Sequence, residues 1–445
     1  MAAPVDERPP LPPGGVRLDA MRLAIVVFMV LVSWTASSWS APQPSWYEHL
    51  SAARAALAQD DLDAALPELL AVDSIVGGHP GAMFALAQIA ARRGAKSTAL
   101  RHLSDLAMTG ITRQIRGDTT FALLQGDPSF EAIAARLDSN ATPISKADVV
   151  ARFDDASLLP EDVAWDGRRR RFLISSIHRH KIVALNAEGV IIDFATAGSG
   201  TWGFYGLAVD APRGRLWATT AASPTSEGFD AADSGRTAVV AFDLATAKPI
   251  ERVELPRDGN KHVLGDLTLG KDGTVYVTES LGGGVYRLRS GRSTLDTLAA
   301  PGSFHSPQMA VLASDGRRLL IAEYARGIGG LELGSGRVTW LAKPRTLASG
   351  GIDGLYRDGR KLIAIQNGTS PHRVIELTLD PGETRILSWR VLEQASEWLG
   401  EPNHGTFVGK NFYFIGNSGW DRVSDAEILE TPADARPPVL LRLQR

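Results

Sequence analysis

Six times the chain repeats one pattern: an apolar strand, a tight polar turn carrying glycine or a charged pair, and a second apolar strand. The copies are LPEDVAWDGRRRRFLISS, FYGLAVDAPRGRLWATT, LGDLTLGKDGTVYVTES, SPQMAVLASDGRRLLIAEY, GGIDGLYRDGRKLIAIQN and PNHGTFVGKNFYFIGNS. Most run on into a third strand, such as HKIVALN, TAVVAFDL, GVYRLRS, GIGGLEL or HRVIELTL. Period-two segments joined by Asp-Gly and Gly-Arg turns are β-hairpins. Copies recurring at roughly 40–60 residues mark a radial repeat, because one small sheet cannot bury both its faces alone. The pattern predicts a mainly β chain, a six-bladed β-propeller over residues 148–445. The strand ADVVARF at its start and PVLLRLQ at its end are expected to share one blade and so remove an open edge.

Residues 45–138 have a different texture. SWYEHLSAARAALAQDDLDAALPELLAVDSI and HPGAMFALAQIAARRGAKSTALRHLSDLAMTG carry apolar residues at helical spacing, with small alanines that let helices approach closely. They resemble tetratricopeptide-type hairpins, and GDPSFEAIAARL resembles the short helix that often closes such arrays. A small generic helical domain is the alternative. Either way a scaffold or docking surface for a protein partner is expected there, and the turn-rich DSNATPISKA reads as a linker.

Residues 1–40 read as an N-terminal extension and an export signal. Arg22, the apolar run Leu23–Val32 and the small-residue stretch SWTASSWSAPQP follow the order of a secretory signal peptide starting at Met21. Cleavage after Ser38 or Ser40 gives a periplasmic or secreted protein; an uncleaved segment gives an anchored one. No further membrane span is expected. The absence of cysteine suits that compartment and removes thiolate nucleophiles and Cys-ligated metals. A net charge of −3 gives no footprint for nucleic acid, and the basic run Arg168–Arg171 reads as a solvated turn.

In a propeller the innermost strands line a central channel. Aligning the repeats on their turns puts Glu161, Tyr205, Gly265–Asp266, Gln308, Asp353 and His404 at the entry of those strands. Crowded carboxylates repel unless a cation or shared protons compensate. An oxygen-rich set suits Ca²⁺, Mg²⁺ or Mn²⁺, and one imidazole admits Zn²⁺. Blade-to-blade hydrogen bonding around channel water is the alternative. Trp202, Phe204, Tyr205, Trp398 and Trp420 are rim aromatics that either stack on a sugar-like ring or pack between blades, and His305 lies near the same rim. No G-x-S-x-G elbow and no phosphate-binding glycine loop occurs.

The propeller resembles the senescence-marker-protein, gluconolactonase and luciferin-regenerating family. Glu161-Asp162-Val163-Ala164-Trp165-Asp166 is similar to that family's E-G-P-x-W-D opening, with Gly-Pro replaced by Asp-Val. Ile352-Asp353-Gly354-Leu355, through Gln366-Asn367-Gly368 to Arg373-Val374-Ile375, is similar to its P-D-G-M, N-G and R-V segment. The resemblance covers about residues 150–443. It implies one divalent cation held by Glu161 and Asp353, with Gln308 where the family has asparagine. It implies a substrate pocket whose asparagine falls here on Gly265, beside Asp266. It implies lactone or ester hydrolysis, the cation polarising the carbonyl and Asp353 acting as general base. His404 is this chain's own addition, a candidate ligand or acid–base group or else a channel hydrogen bonder. Tyr205, Asp266, Trp202 and Trp398 are the candidates for contact with a small-molecule ligand. The rival reading is a non-catalytic binding propeller whose helices recruit a partner.

Overall fold

The computed structural model describes residues 45–196, 198 and 201–445. The leader read at residues 1–40 lies outside the described residues. Among the described residues no helix is long and apolar enough to cross a membrane.

The repeats fold into six four-stranded antiparallel sheets. Five blades take consecutive strands, beginning at Pro160, Gly203, Leu264, Pro307 and Ile352. The sixth joins Gly405–Val408, Asn411–Gly416 and Val439–Leu443 from the end of the chain to Ala147–Arg152 from the start. Arg152 pairs with Val439 and Ala147 with Leu443, so both edge strands close the ring as expected. The first strands of successive blades contact one another all the way round, the first meeting the sixth. Every blade junction holds its own apolar cluster: Phe204 and Phe242 pack on Ile182 between blades 1 and 2, and Phe412 and Phe414 pack on Ile363 between blades 5 and 6. Burying one such side chain contributes about 1.5–3 kcal/mol. In each first hairpin one residue adopts left-handed backbone: Gly214, Gly273, Gly316, Gly359, Gly409 and, in blade 1, Arg170. Glycine takes that conformation without Cβ strain, which is why the turns read so clearly in the sequence.

One irregularity recurs and positions the site. In blades 1 to 5 the innermost strand slips register near its start. Pro160 faces Ser176 and Val163 faces Ile174, so Glu161 and Asp162 together oppose Ser175. The same two-against-one bulge holds Tyr205–Gly206, Gly265–Asp266, Gln308–Met309 and Asp353–Gly354. A bulge breaks the ladder and re-aims the extra side chain. The freed amide of Asp162 donates to Ser175 Oγ at 2.9 Å, and that of Gly206 to Thr219 Oγ1 at 2.8 Å.

The helices form two hairpins, α1 (Trp46–Ala58) with α2 (Leu62–Val76) and α3 (Pro80–Arg92) with α4 (Lys96–Met108), followed by α5 (Pro128–Ser139). Ser45 and Glu48 make a reciprocal capping box at α1, and Asp127 caps α5. Pro44–Arg445 is one compact unit that contains both the helices and the propeller. Ala325 and Ala348 of the propeller sit in the two helical cores. Arg373, fully buried, reaches from blade 5 to donate to Thr109 O at 3.1 Å and Gln366 Oε1 at 2.7 Å. The segment read as a linker is pinned as well: Lys146 and Ala147 amides donate to Glu393 Oε2 at 2.6 and 2.9 Å.

Candidate functional site

The five bulges and the loop before the sixth innermost strand aim their side chains into one cavity of about 390 Å³. Glu161, Tyr205, Gly265, Asp266, Gln308 and Asp353 all line it, as the alignment of the repeats predicts. Further lining residues are Tyr324, Asn367, Glu401, Asn403, Trp420 and Glu427. Of these, only Trp420 is expected from the sequence, as a rim aromatic. Asn403 stands beside His404, Asn367 lies in the Gln-Asn-Gly segment of the fifth repeat and Tyr324 ends the fourth repeat, so all three were within reach of the pattern; Glu401 and Glu427 lie outside the quoted repeats.

An amide chain ties the carboxylates together. Asn367 Nδ2 donates to Asp353 Oδ2 at 2.7 Å and to Asn403 Oδ1 at 3.3 Å. Asn403 Nδ2 donates to Glu161 Oε2 at 2.8 Å, which also accepts from Trp420 Nε1 at 2.6 Å. The Tyr324 hydroxyl donates to Asn367 Oδ1 at 3.1 Å. Each amide nitrogen faces an acceptor and each amide oxygen a donor, which fixes their orientation.

His404 lies beneath the cavity with no exposed surface and is not among the residues lining it. Its Nδ1 is 3.1 Å from Asp266 Oδ1 and its Nε2 3.7 Å from Asp353 Oδ1. Neither approach is a hydrogen bond, and the second is too long for one. Burial alone would keep this imidazole neutral, but Asp266 and then Asp353 outweigh it and raise its pKa well above the usual histidine range. His404 is therefore the buried positive charge of the ring. Asp162 is buried as well, accepting from the amides of Leu207 and Val163, each at 2.7 Å. Burial raises Asp162 to about 6 against the opposing charge of His404, and raises Asp266 to about 7. Glu161 is part-open to the cavity, yet its low-dielectric surroundings, with Asp353 and Asp266 nearby, push it up to about 8. Burial raises Glu401 to about 7. The cavity thus carries carboxyls that hold protons near neutral pH above a fixed imidazolium.

This arrangement does not fit the divalent cation that the resemblance implies. Asp353 has one oxygen taken by Asn367 and the other facing His404, and Glu161 Oε2 receives two N–H donors. No group of three or more His, Cys, Asp or Glu side chains suited to a metal occurs among the described residues. N–H donors and a buried cation occupy the roles that a metal would take.

Two expected contact residues lie elsewhere. Trp202 and Trp398 are not among the lining residues. Trp202 Nε1 donates to Asp233 at 2.9 Å, and the Arg236 guanidinium covers its ring at 4.9 Å. Arg152 and Arg436 cover Trp398 at 4.2 and 4.3 Å. Both rings are spent on cation–π packing. His305 stacks on Tyr47 of α1 at 3.8 Å between ring centroids.

No family model matches the chain, and no curated protein matches it. Among solved structures it is similar to a luciferin-regenerating enzyme at 10% identity, covering 68% of this chain and 96% of that one with a TM-score of 0.49. It is similar to a gluconolactonase from Xanthomonas campestris at 15% identity, covering 68% and 97% with a TM-score of 0.45. It is similar to an aldose sugar dehydrogenase from Streptomyces coelicolor at 15% identity, covering 67% and 99% with a TM-score of 0.46. The class that fold and cavity define is a six-bladed β-propeller with an acidic, proton-holding channel mouth, and it stands on the strand pairing and the lining residues described above.

Proposed function

We propose that the channel mouth is an acid–base site that opens a lactone or ester of a polar small molecule. The observation that carries this reading is the division of labour between two carboxyls in one cavity. Glu161 is held protonated at neutral pH, while Asp353 faces the buried His404 cation. A carboxyl that keeps its proton, in one cavity with a carboxyl that faces a buried cation, supplies a proton donor and an acceptor from one fold.

In this reading a water molecule adds to the ester carbonyl carbon and passes its proton to Asp353. The C–O bond of the leaving alcohol breaks, and Glu161 gives that oxygen its proton. The product is a hydroxy acid or an acid and an alcohol. The two carboxyls finish with exchanged protonation, which solvent restores. Trp420 and Asn403 hold Glu161 by Oε2, leaving Oε1 for the proton. His404, sealed from the cavity, acts through Asp353 as a positioning residue. Lactones head the first screen because the motif resemblance around Glu161 and Asp353 implies them.

One observation favours a second reading, a binding propeller without chemistry: the side chain type best suited to titrate near neutrality, the imidazole of His404, has no access to the cavity. A panel of sugar lactones and aryl esters, assayed with the wild type and with Asp353→Asn and Glu161→Gln, separates the two. Hydrolysis lost about 10²–10⁴-fold in both variants supports the acid–base reading. Saturable binding with no turnover overturns it in favour of the second. A rate retained in both variants refutes the roles of acid and base for these two carboxyls.

A further inference from the structure

Tyr324 is a wall shared by two cavities. On its far side lies a second cavity of about 390 Å³, built where the helices rest on blades 4 and 5. Trp46, Tyr47, Arg54 and His79 come from the helices, and His305 and Tyr324 from the propeller. Gly351 and Gly368 line it in close backbone contact: a Cβ on either would meet the other's backbone at 2.6 Å. The Tyr47–His305 stack fastens α1 over this space.

The two cavities have opposite charge. Glu161, Asp266, Asp353, Glu401 and Glu427 line the first. Among the described residues no carboxylate lines the second, and Arg54 does. Arg54 makes no ion pair among the described residues. Its neighbour His79 accepts from the Ala82 amide through Nδ1 at 3.1 Å, which puts the ring proton on Nε2. Burial, then the charge of Arg54, hold His79 down to about 4, so it offers an uncharged N–H at neutral pH. A guanidinium with no ion pair among the described residues, beside a neutral imidazole donor and with Asp73 drawn off by Arg345, is a recognition set for a carboxylate.

We propose that the second cavity binds a carboxylate-bearing arm of the ligand whose uncharged reacting end occupies the channel mouth, an inference that rests on the hydrolase reading for the identity of that end. The helical unit is then part of the binding site. Acidic and basic cavities on either side of Tyr324 orient such a ligand, because the reversed pose sets its carboxylate among five carboxyl groups and away from Arg54.

The test is direct titration of the full chain with phenylacetate and with its neutral counterpart phenylacetamide. The acid should bind at least about ten-fold more tightly than the amide, and Arg54→Gln should remove that preference. Arg54 is exposed, so its replacement spares the core. Asp353→Asn, on the other side of Tyr324, should leave phenylacetate binding in place. Equal binding of acid and amide, equal binding by Arg54→Gln, or no binding of phenylacetate overturns the second cavity as a carboxylate site. A paired assay keeps the two readings apart. For a hydrolysed ester, Arg54→Gln should raise KM at least about ten-fold more for the carboxylate-bearing form than for its methyl-capped form. Phenylacetate binding without hydrolysis of any ester removes the hydrolase reading and leaves the carboxylate site. Hydrolysis without that KM discrimination does the reverse.

Discussion

Glu161→Gln should make the protein more stable at alkaline pH while removing the proposed hydrolysis. Gln keeps the size of the side chain and an oxygen to accept from Trp420 and Asn403, so the change deletes a titration and little else. In the unfolded chain Glu161 ionises near 4.5; in the folded protein it does so near 8. The folded state therefore holds the proton more tightly. Its stability from this group is fully present below 4.5 and is lost as pH rises through 8. At 1.36 kcal/mol per pH unit the full cost of ionising it would be about 5 kcal/mol. Glu161 is part-open to the cavity, and solvent screening reduces this to about 2 kcal/mol. Thermal scans should show wild type and variant together near pH 4.5. At about pH 8.5 the variant should melt higher by roughly 2–4 °C. A variant that melts lower at alkaline pH, or whose offset is the same at both pH values, would refute the claim that the cavity holds Glu161 protonated. Loss of turnover beside a gain in alkaline stability would tie the strained carboxyl to the chemistry.

Three further outcomes follow from the same geometry. His404→Gln leaves Asp266 and Asp353 without their buried cation, and removing one partner of a buried pair costs about 3–5 kcal/mol. Because Asp266 takes up a proton below about 7, chemical denaturation should find that cost larger at about pH 8 than at about pH 5; a pH-independent cost would contradict the charge assignment. Chelator treatment should leave the melting temperature unchanged and added Ca²⁺ should not raise it, since N–H donors already serve the carboxylates; a stoichiometric metal, lost on chelation with a drop in stability, would reverse that conclusion. Arg373→Ala should unseat the helices from blade 5, exposing Thr109 O and emptying the space under Trp389, whose ring lies 5.1 Å from the guanidinium. Hydrogen exchange should then quicken in the Thr109 region of the helical unit while the innermost strands stay protected, and unchanged protection there would show that Arg373 does not hold the junction.

The blades were legible because their determinants are local. Period-two apolar runs and a left-handed residue in every first hairpin sit within a few positions of one another, so Gly214 or Gly359 can be read without knowing what it packs against. The ring of Glu161, Tyr205, Asp266, Gln308 and Asp353 was legible for a less obvious reason. Each lies in a bulge at the same place in its strand, so aligning turns also aligned the bulges, although nothing in the sequence announces them. The rim tryptophans could not be sorted that way. Trp202 and Trp398 are set by Arg236, Arg152 and Arg436, which arrive from other strands and loops. The resemblance in Glu161 and Asp353 carries over residue types, but the amides of Asn367 and Asn403 and the charge of His404 decide what those carboxylates face.

Helical periodicity states which face of α1 is apolar, not what that face will meet. Read alone, the helices suggest a docking surface for another protein. In the folded chain their own propeller takes part of that role: Ala325 and Ala348 enter the helical cores, Asp73 pairs with Arg345 at 3.0 Å, and the Lys343 ammonium is shared between Gly77 O and Leu347 O. A mobile recruitment arm gains nothing from a buried arginine at its base, whereas a cavity wall needs to be held in register with the blades it faces. The propeller by itself supplies an acidic mouth suited to a polar, uncharged group. The rigidly seated helices bring Arg54 to a neighbouring cavity, and with it the opposite charge that a purely acidic channel lacks.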